Sequence, residues 1–270
     1  MYRNETVFYP QDEMNTVLLP VTTGCSYNRC AFCSMYKNST YEEVSFSDIK
    51  YELKNISELT ERVYLIGADP LHIGYEKMLR ILKEIQKQLP YCACVACYGA
   101  VKTLKTYTVE ELKTLHEAGL NLIYVGFESG DGDVLERIRK GHTPEEEILV
   151  GQKLNAAKLQ FNAIILYGIA GKGQGIKNAR RTAEVLNTMA LHKIITMNLT
   201  LFSGTDMAKW TKDGQYVPST REERVEELRE LLLLLKPKTR VLFDTTHPTN
   251  ILKILGYLPE EKDRLISELR

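Results

Sequence analysis

Three cysteines, Cys25, Cys30 and Cys33, lie within nine positions of a chain of 270 residues. They directly follow the apolar run 17–21, which predicts a short buried strand. The thiols are therefore expected on a loop at the carboxyl end of that strand, where parallel α/β folds place their chemistry. Iron–sulfur clusters and zinc both take thiolate ligands, usually four. Three thiolates would leave one metal position for another ligand.

The totals limit the class of protein. The length suffices for one domain of α/β-barrel size or two small ones. Lysine plus arginine equals aspartate plus glutamate at 35 each, so the net charge is zero and composition does not require a nucleic-acid-binding surface. Residues 1–5 are polar and predict no signal peptide, and the longest pure apolar run, 231–235, is too short for a bilayer. The six cysteines are therefore expected in a reducing cytoplasm, where clustered thiols favour metal or redox chemistry.

Short apolar segments alternate with amphipathic ones along the chain. The apolar segments predict strands at 15–22, 62–67, 91–98, 121–127, 160–167 and 193–201, with a further short strand at 240–243. Helices are predicted from a cap at Ser45 or Ser47 to about residue 60, from Pro144 onwards, and over 75–89, 109–118, 131–140, 176–189, 221–235 and 259–269. Six strand–helix repeats imply parallel strands joined by right-handed crossovers, two repeats short of a closed barrel. No flexible linker divides the chain, which predicts a single domain.

The cysteine segment resembles the cluster loop of radical S-adenosylmethionine (radical SAM) enzymes. In that family three cysteines hold three irons of a [4Fe–4S] cluster, and the fourth iron binds the amino and carboxylate groups of SAM. Phe32 matches the aromatic residue before the third cysteine, whereas four residues, and not the commoner three, separate Cys25 from Cys30. The resemblance implies Cys25, Cys30 and Cys33 as metal ligands. It also implies a partial (β/α)6 barrel. Within the single domain we expect an N-terminal extension at 1–14, the barrel core at 15–235 and a short helical C-terminal extension at 236–270 that caps the barrel.

Three turns after predicted strands resemble further motifs of the family, in the order that it requires. The turn at 67–69 occupies the position of the family's Gly-Gly-Glu-like sequence, which holds the SAM amino group. The G-x-E-S-G sequence at 126–130 would then lie beside the ribose or methionine part of SAM. The glycine-bearing turn at 167–173 would lie beside adenine. The implied cofactor-binding residues are Phe32, Gly67, Ala68, Asp69, Glu128, Ser129, Gly168, Ile169 and Leu201.

Local structure offers a second explanation for several of these residues. Asp69 also suits a turn before Pro70, Ser129 suits a helix N-cap, and Leu201 suits a core position. The glycines at 171–175 match neither a phosphate-binding P-loop nor a Rossmann fingerprint, because the required spacing is missing.

A second cysteine group does not predict a second metal site. On a strand, Cys92 and Cys94 would face one side and Cys97 the other, so the three thiols could not meet one ion. Several residues end or follow predicted strands and could face a substrate. These candidates are His72, Cys97, Tyr98, Tyr167 and His247.

The resemblance implies an enzyme that cleaves SAM reductively to a 5′-deoxyadenosyl radical, which abstracts hydrogen from a small molecule or peptide. A one-electron donor such as flavodoxin or ferredoxin is then required. One alternative is a radical SAM enzyme that modifies a tRNA base, against which stand the zero net charge and the lack of an added RNA-binding module. Another is a non-catalytic zinc or electron-transfer protein. The resemblance leaves the substrate and the oligomeric state open.

Overall fold

The computed structural model describes residues 7–269. The expectations for residues 1–6, including the lack of a signal peptide, lie outside the described residues. The strands are β1 (Val17–Pro20), β2 (Thr22–Thr23), β3 (Glu42–Glu43), β4 (Arg62–Ile66), β5 (Cys94–Gly99), β6 (Leu120–Glu128), β7 (Gln160–Tyr167), β8 (Lys193–Asn198), β9 (Val241–Asp244) and β10 (Leu255–Leu258). The α-helices are α1 (Phe46–Lys54), α2 (Tyr75–Gln88), α3 (Val101–Leu104), α4 (Val109–Glu117), α5 (Gly132–Arg137), α6 (Pro144–Ala156), α7 (Gly175–Leu186), α8 (Asp206–Lys212), α9 (Arg221–Leu234) and α10 (Lys262–Glu268).

The contacts within the chain divide it into two compact units. The first unit contains Met35–Tyr124, Ala156–Leu159 and the described part of Met1–Asn28. The second contains Arg29–Ser34, Val125–Asn155 and the described part of Gln160–Arg270. The single domain with extensions at 1–14 and 236–270 stays a prediction.

In the first unit, β1, β4 and β5 run parallel and the start of β6 follows in that order. Arg62 at the start of β4 pairs with Cys94 at the start of β5. The buried carboxylate of Glu13 accepts hydrogen bonds from Arg62 Nε at 2.9 Å and from Tyr124 OH at 2.8 Å, so it ties β4 and β6 to the segment before β1. A buried carboxylate is tolerated here because a charged partner and a hydroxyl satisfy it.

In the second unit, the end of β6 is followed in the sheet by β7, β8, β9 and β10. β7, β8 and β9 run parallel, whereas β10 runs antiparallel to β9. Tyr167 pairs with Asn198, so β7 and β8 end at the same level. The turns that follow them therefore leave the sheet side by side, as expected for functional loops of a parallel sheet.

The predicted elements are present, with shifted boundaries. The six predicted strands correspond to β1 and β4–β8, and 240–243 corresponds to β9. Ser45 caps α1 and Pro144 opens α6, as predicted. In α4, Thr108 forms a capping box with Glu111. The C-terminal extension, predicted to be helical, contains the strands β9 and β10 as well as α10. The strand β10 was not predicted, because residues 255–258 include a glycine and alternate between exposed and buried positions.

Candidate functional site

The first part of the cysteine loop belongs to the first unit and is shaped by tight backbone turns. Gly24 has a φ of +60°, and a Cβ there would lie 2.5 Å from the carbonyl oxygen of Thr40, so the position favours glycine. Asn28, at φ +46°, donates its backbone N–H to Cys25 Sγ at 3.3 Å and its side-chain amide to the Tyr36 carbonyl at 2.8 Å. The sulfur of Cys25 therefore already receives a hydrogen bond, which is one of the features that tune cluster thiolates.

The second part of the loop belongs to the second unit and is held on both sides. The Ala31 N–H donates to the Ile138 carbonyl at 2.8 Å, and the Ala31 carbonyl accepts from Met207 N–H at 3.0 Å. The backbone between Cys30 and Cys33 is therefore fixed between the end of α5 and the start of α8.

Lys140 places a positive charge beside the thiols of the second unit. Its Nζ donates to Glu128 Oε1 at 2.7 Å, with the two side chains 16% and 9% exposed, and lies 5.9 Å from the centre of the Phe32 ring. Burial alone would lower the pKa of Lys140, but Glu128 together with the thiols of Cys30 and Cys33 raises it above its usual value. The ammonium group therefore stays charged next to these thiols.

The thiols of the cysteine loop are chemically suited to bind an iron–sulfur cluster. The six cysteines form no disulfide within the described range, and the thiols of Cys25, Cys30 and Cys33 are partly exposed on a loop. No three His, Cys, Asp or Glu side chains among residues 7–269 form a ready-made metal site. Partly exposed thiols with an N–H donor and a nearby cation are nevertheless the environment in which thiolates form and bind metal. Cys94 receives a hydrogen bond from Arg62 Nη1 at 3.0 Å. That Cys92, Cys94 and Cys97 hold no metal stays a prediction.

The turn after β4, in the first unit, brings backbone close to the strand that precedes the cysteine loop. Gly67 has a φ of +151°, and a Cβ there would lie 2.1 Å from Thr22 Oγ1. That hydroxyl is buried and has no hydrogen-bond partner in the described part of the chain. A polar ligand group or a water at this turn would satisfy it.

The carboxylate of Asp69 is engaged within the first unit. One oxygen accepts from the Ala100 N–H at 3.3 Å and the other from the Thr103 hydroxyl. Asp69 thus holds the turn after β5. Its contact with the SAM ammonium group stays a prediction, as does the contact of Gly67 and Ala68.

The turn after β6 is polar and closed. Glu128 has a φ of +69°, and Ser129 is 0% exposed. The Ser129 hydroxyl donates to Asn178 Oδ1 and accepts from the Asp131 N–H at 3.0 Å. Asp131, and not Ser129, caps α5, because its carboxylate accepts from Asp133 N–H at 3.0 Å.

The turn after β7 is fixed by side chains from two other segments. Gly168 has a φ of +81°; its N–H donates to Glu227 Oε2 at 2.8 Å and its carbonyl accepts from Tyr216 OH at 2.7 Å. Arg224, whose Nε would lie 3.0 Å from a Cβ at Gly168, donates to Asn198 Oδ1 at 2.7 Å, at the end of β8. α9 therefore braces the ends of β7 and β8.

One apolar cluster in the second unit joins three residues that the sequence predicted separately. Phe32 and Leu201 are partly buried and pack against a core that includes Ile169 and Ala31 of the cysteine loop. Met197, at the end of β8, packs against the same core. Phe32, Ile169 and Leu201 come from segments far apart in the chain and converge on this core. Their contact with a cofactor stays a prediction.

The substrate candidates of the first unit differ in access. His72 is exposed, with its ring edge-on to Tyr41 at 5.4 Å. Cys97 is 0% exposed, and burial raises the pKa of its thiol. Tyr98 is partly exposed and packs edge-on against Tyr64 at 5.8 Å. Among these, His72 and Tyr98 keep exposed surface.

The candidates of the second unit are both tied to the segment after β9. Tyr167 is buried, its hydroxyl accepts from the Ile251 N–H at 3.3 Å, and burial raises its pKa to about 12. His247 Nδ1 lies 2.8 Å from Thr249 Oγ1, and burial lowers the pKa of the ring. Neutral imidazole is therefore favoured at His247.

Sequence analysis missed Arg224 and Glu227. Both lie in a segment rich in Glu/Arg pairs, which is typical of a solvated helix. The signal that could have singled them out is their spacing of three residues, which places them on one face of α9 next to Leu228.

Comparison with known proteins identifies the family. Residues 19–186 match the model of the Radical SAM superfamily. The chain belongs to the radical SAM superfamily. It is 26% identical over 199 residues to 4′-phospho-dehydrooxetanocin synthase of Priestia megaterium, covering 66% of this chain and 26% of that protein. It is 20% identical over 258 residues to tRNA-2-methylthio-N(6)-dimethylallyladenosine synthase of Fusobacterium nucleatum, covering 92% of this chain and 57% of that protein.

The solved structures show the same fold. The crystal structure of methylornithine synthase superposes with a TM-score of 0.59 at 16% identity, over 89% of this chain and 66% of that chain. The predicted fold class, α/β with a mostly parallel sheet of the radical SAM core type, is thereby confirmed. The predicted enzyme class and cofactors are confirmed at the level of the superfamily, whose members are enzymes that use a [4Fe–4S] cluster and SAM and need an electron donor and a substrate. Within residues 7–269, every helix is too short or too polar to span a bilayer.

Proposed function

We propose that this chain is a radical SAM enzyme whose Cys25, Cys30 and Cys33 hold the [4Fe–4S] cluster. The observation that carries the proposal is the setting of the loop in the second unit. Cys30 and Cys33 lie beside the partly buried Lys140–Glu128 pair, and Phe32 between them packs into the apolar cluster of the turns after β7 and β8. When bound, the reduced cluster supplies the electron that cleaves SAM to methionine and a 5′-deoxyadenosyl radical, which takes a hydrogen atom from the substrate.

The chain's own residues bind and shield the cofactor. The apolar cluster around Ile169 and Leu201 offers a surface for adenine and keeps water from it. The backbone of Gly67–Ala68 and the unpartnered Thr22 hydroxyl offer polar contacts in the first unit. The remaining proposed SAM contacts are Phe32, Asp69, Glu128, Ser129 and Gly168.

We assign a small molecule or peptide as the substrate class, with a flavodoxin or ferredoxin as the electron donor and a cytoplasmic location. The zero net charge and the partly exposed apolar side chains of β8, Ile195 and Met197, support a substrate without a nucleic-acid backbone. The match to the tRNA-modifying synthase along 92% of the chain favours a tRNA base as the second candidate.

Anaerobic reconstitution tests the proposal. The protein should bind about four irons and four sulfides, as one [4Fe–4S] cluster does, and after reduction with dithionite it should convert SAM to 5′-deoxyadenosine and methionine. Replacement of Cys25, Cys30 or Cys33 by alanine should abolish iron binding. The triple alanine variant at Cys92, Cys94 and Cys97 is the control and should keep its iron.

Three results would count against the proposal or redirect it. Stoichiometric zinc without sulfide, in protein purified without oxygen, would point to a zinc protein. A fully loaded and reduced protein that leaves SAM intact would point to electron transfer. Turnover that requires tRNA and is not supported by small molecules or peptides would transfer the assignment to RNA modification.

A further inference from the structure

The carboxylate of Glu227, in the middle of α9, connects two turns of the second unit. Glu227 is only 2% exposed. Its Oε1 accepts from Asn178 Nδ2 at 2.7 Å, and its Oε2 accepts from the Gly168 N–H at 2.8 Å. Asn178 lies on α7 and in turn accepts from the Ser129 hydroxyl. One side chain thus reaches the turn after β7 directly and the turn after β6 through a single amide.

The residues around the Glu227 carboxylate leave space for it and stabilise its negative charge. Gly175 opens α7, and a Cβ there would lie 3.0 Å from Glu227 Oε2, so the absence of a side chain makes room for the carboxylate. The start of a helix also favours a negative charge. If the carboxylate were removed, the buried N–H of Gly168 would lose its acceptor.

We propose that Glu227 is a positioning residue for SAM, because it fixes the Gly168 backbone and, through Asn178, the turn after β6 in the arrangement that binds the cofactor. This inference rests on the proposed function, which assigns SAM contacts to both turns. Glu227 acts through those turns. Its contribution is to fix their positions before SAM binds.

The positioning role favours the ionised form, because protonation turns one carboxylate oxygen into a hydroxyl group, which accepts more weakly from Asn178 or Gly168. Burial raises the pKa of Glu227 to about 7, against the two hydrogen bonds and the charge of Arg224, which lower it. Tyr167 and Tyr216 are the other titratable groups that interact with it. SAM affinity is therefore expected to improve as the pH rises through about 7 in the wild type.

The test measures equilibrium SAM affinity and iron content of the cluster-loaded enzyme between about pH 6 and 8. Glu227→Gln should weaken SAM binding about tenfold at the upper end of this range and flatten its pH dependence. Glu226→Gln changes an exposed carboxylate on the same helix and should match the wild type. Ionisation of SAM itself is common to all variants, so the comparison between variants removes it.

A double variant that exchanges the amide and the carboxylate between positions 178 and 227 tests whether the hydrogen bonds themselves, and not the particular side chain at 227, position the turns. In the double variant Asn178→Asp/Glu227→Gln, the new amide at 227 donates to the new carboxylate at 178 and still accepts from the Gly168 N–H. The Ser129 hydroxyl also keeps its acceptor at 178. SAM affinity should recover to within about threefold of the wild type, because the two changes are coupled.

The outcomes distinguish the inference from the proposed function. Equal SAM affinity in wild-type, Glu227→Gln and Glu226→Gln enzymes with full iron content would overturn the positioning role and leave the proposed function intact. If Glu227→Gln does not fold, the double variant decides: a folded, iron-loaded double variant that still binds SAM more than about tenfold more weakly overturns the inference. A cluster-loaded wild-type enzyme that does not bind SAM overturns both.

Discussion

Lys140 is the charged residue that bears most directly on the cysteine loop. Its ammonium group is held at 2.7 Å by Glu128 and interacts with the thiols of Cys30 and Cys33. A nearby positive charge stabilises the reduced cluster, because reduction adds negative charge, and the local charge is one determinant of the potential. Lys140 is therefore expected to raise the reduction potential of the bound cluster.

Lys140→Gln keeps a donor for Glu128 but removes the charge. The midpoint potential should become more negative by on the order of 59 mV, which for a one-electron couple equals a tenfold change in the equilibrium constant. A redox titration followed by electron paramagnetic resonance measures it. Lys140→Arg keeps the charge and should stay near the wild-type value. Identical potentials in the Gln and Arg variants would show that the charge does not reach the cluster.

Asp69 has two roles to separate, the predicted contact to SAM and the observed contacts to Ala100 and Thr103. Asp69→Ala should lower the free energy of unfolding by about 1–3 kcal/mol, because the buried Thr103 hydroxyl and the partly buried Ala100 N–H lose their acceptor. If it also binds SAM, affinity should fall by about one to two orders of magnitude with the iron content intact. Urea unfolding and SAM affinity are measured on one preparation, with the exposed Asp213→Ala as the control. Lower stability with unchanged affinity would restrict Asp69 to its structural role.

At the residue scale, the sequence could identify those site residues that lie at a characteristic spacing from one another. Cys25, Cys30, Cys33 and Phe32 follow a recognisable pattern. The partner of Glu128 could not be read in the same way, because Lys140 lies twelve positions later and meets it only through the turn at the end of α5. Glu227 was missed for a related reason. In a helix that contains several glutamates, the sequence does not show which carboxylate is buried and which is exposed to solvent.

At the element scale, the strands were predictable because they are apolar and buried, but their ends were set by pairing. β5 begins at Cys94, opposite Arg62, although the predicted strand began at residue 91. The residues before it form the turn after α2, where the Cys92 N–H donates to the Leu89 carbonyl at 3.0 Å. β10 was missed because its four residues include a glycine and two exposed side chains.

The capping boxes of α4 and α9 provide a matched pair of element-scale variants. Thr108 and Thr220 each accept from the N–H of a glutamate three residues later, in a capping box. Thr108→Ala and Thr220→Ala should each cost about 1 kcal/mol in the free energy of unfolding. Only Thr220→Ala should also weaken SAM binding, by a few-fold, because α9 carries Arg224 and Glu227 to the candidate turns. Equal SAM affinity in both variants would show that the start of α9 does not affect the site.

At the scale of the whole molecule, the superfamily is decided and the substrate is a proposal. The family match covers residues 19–186, but the chain spans 26% and 57% of the length of the two relatives compared above. Side chains that would select a substrate also lack a sequence pattern. Ile195 and Met197 look like core residues of a strand, and only their partial exposure in the fold marks them.

Ionisation of Glu227 is expected to favour cofactor positioning but to lower the free energy of unfolding of the chain. In the unfolded state its pKa is the ordinary 4.5, whereas burial raises it to about 7 in the fold. The folded state therefore binds more protons between these values. The resulting stabilisation is fully present below the unfolded pKa and is lost as the pH rises through the folded pKa. The same rise in pH produces the carboxylate that the two turns require.

The wild type should therefore lose up to about 3 kcal/mol of unfolding free energy, relative to Glu227→Gln, between about pH 4.5 and 7.5. Glutamine does not titrate, and the other ionisable groups are common to both proteins, so their effects cancel in the difference. Urea unfolding of both proteins across this range measures it, with Glu226→Gln as the control that should follow the wild type. Stability curves of wild type and Glu227→Gln that stay parallel would mean that Glu227 ionises at its ordinary pKa. In that case the carboxylate would be formed throughout the neutral range, and the expected dependence of SAM affinity on pH would have to disappear with it.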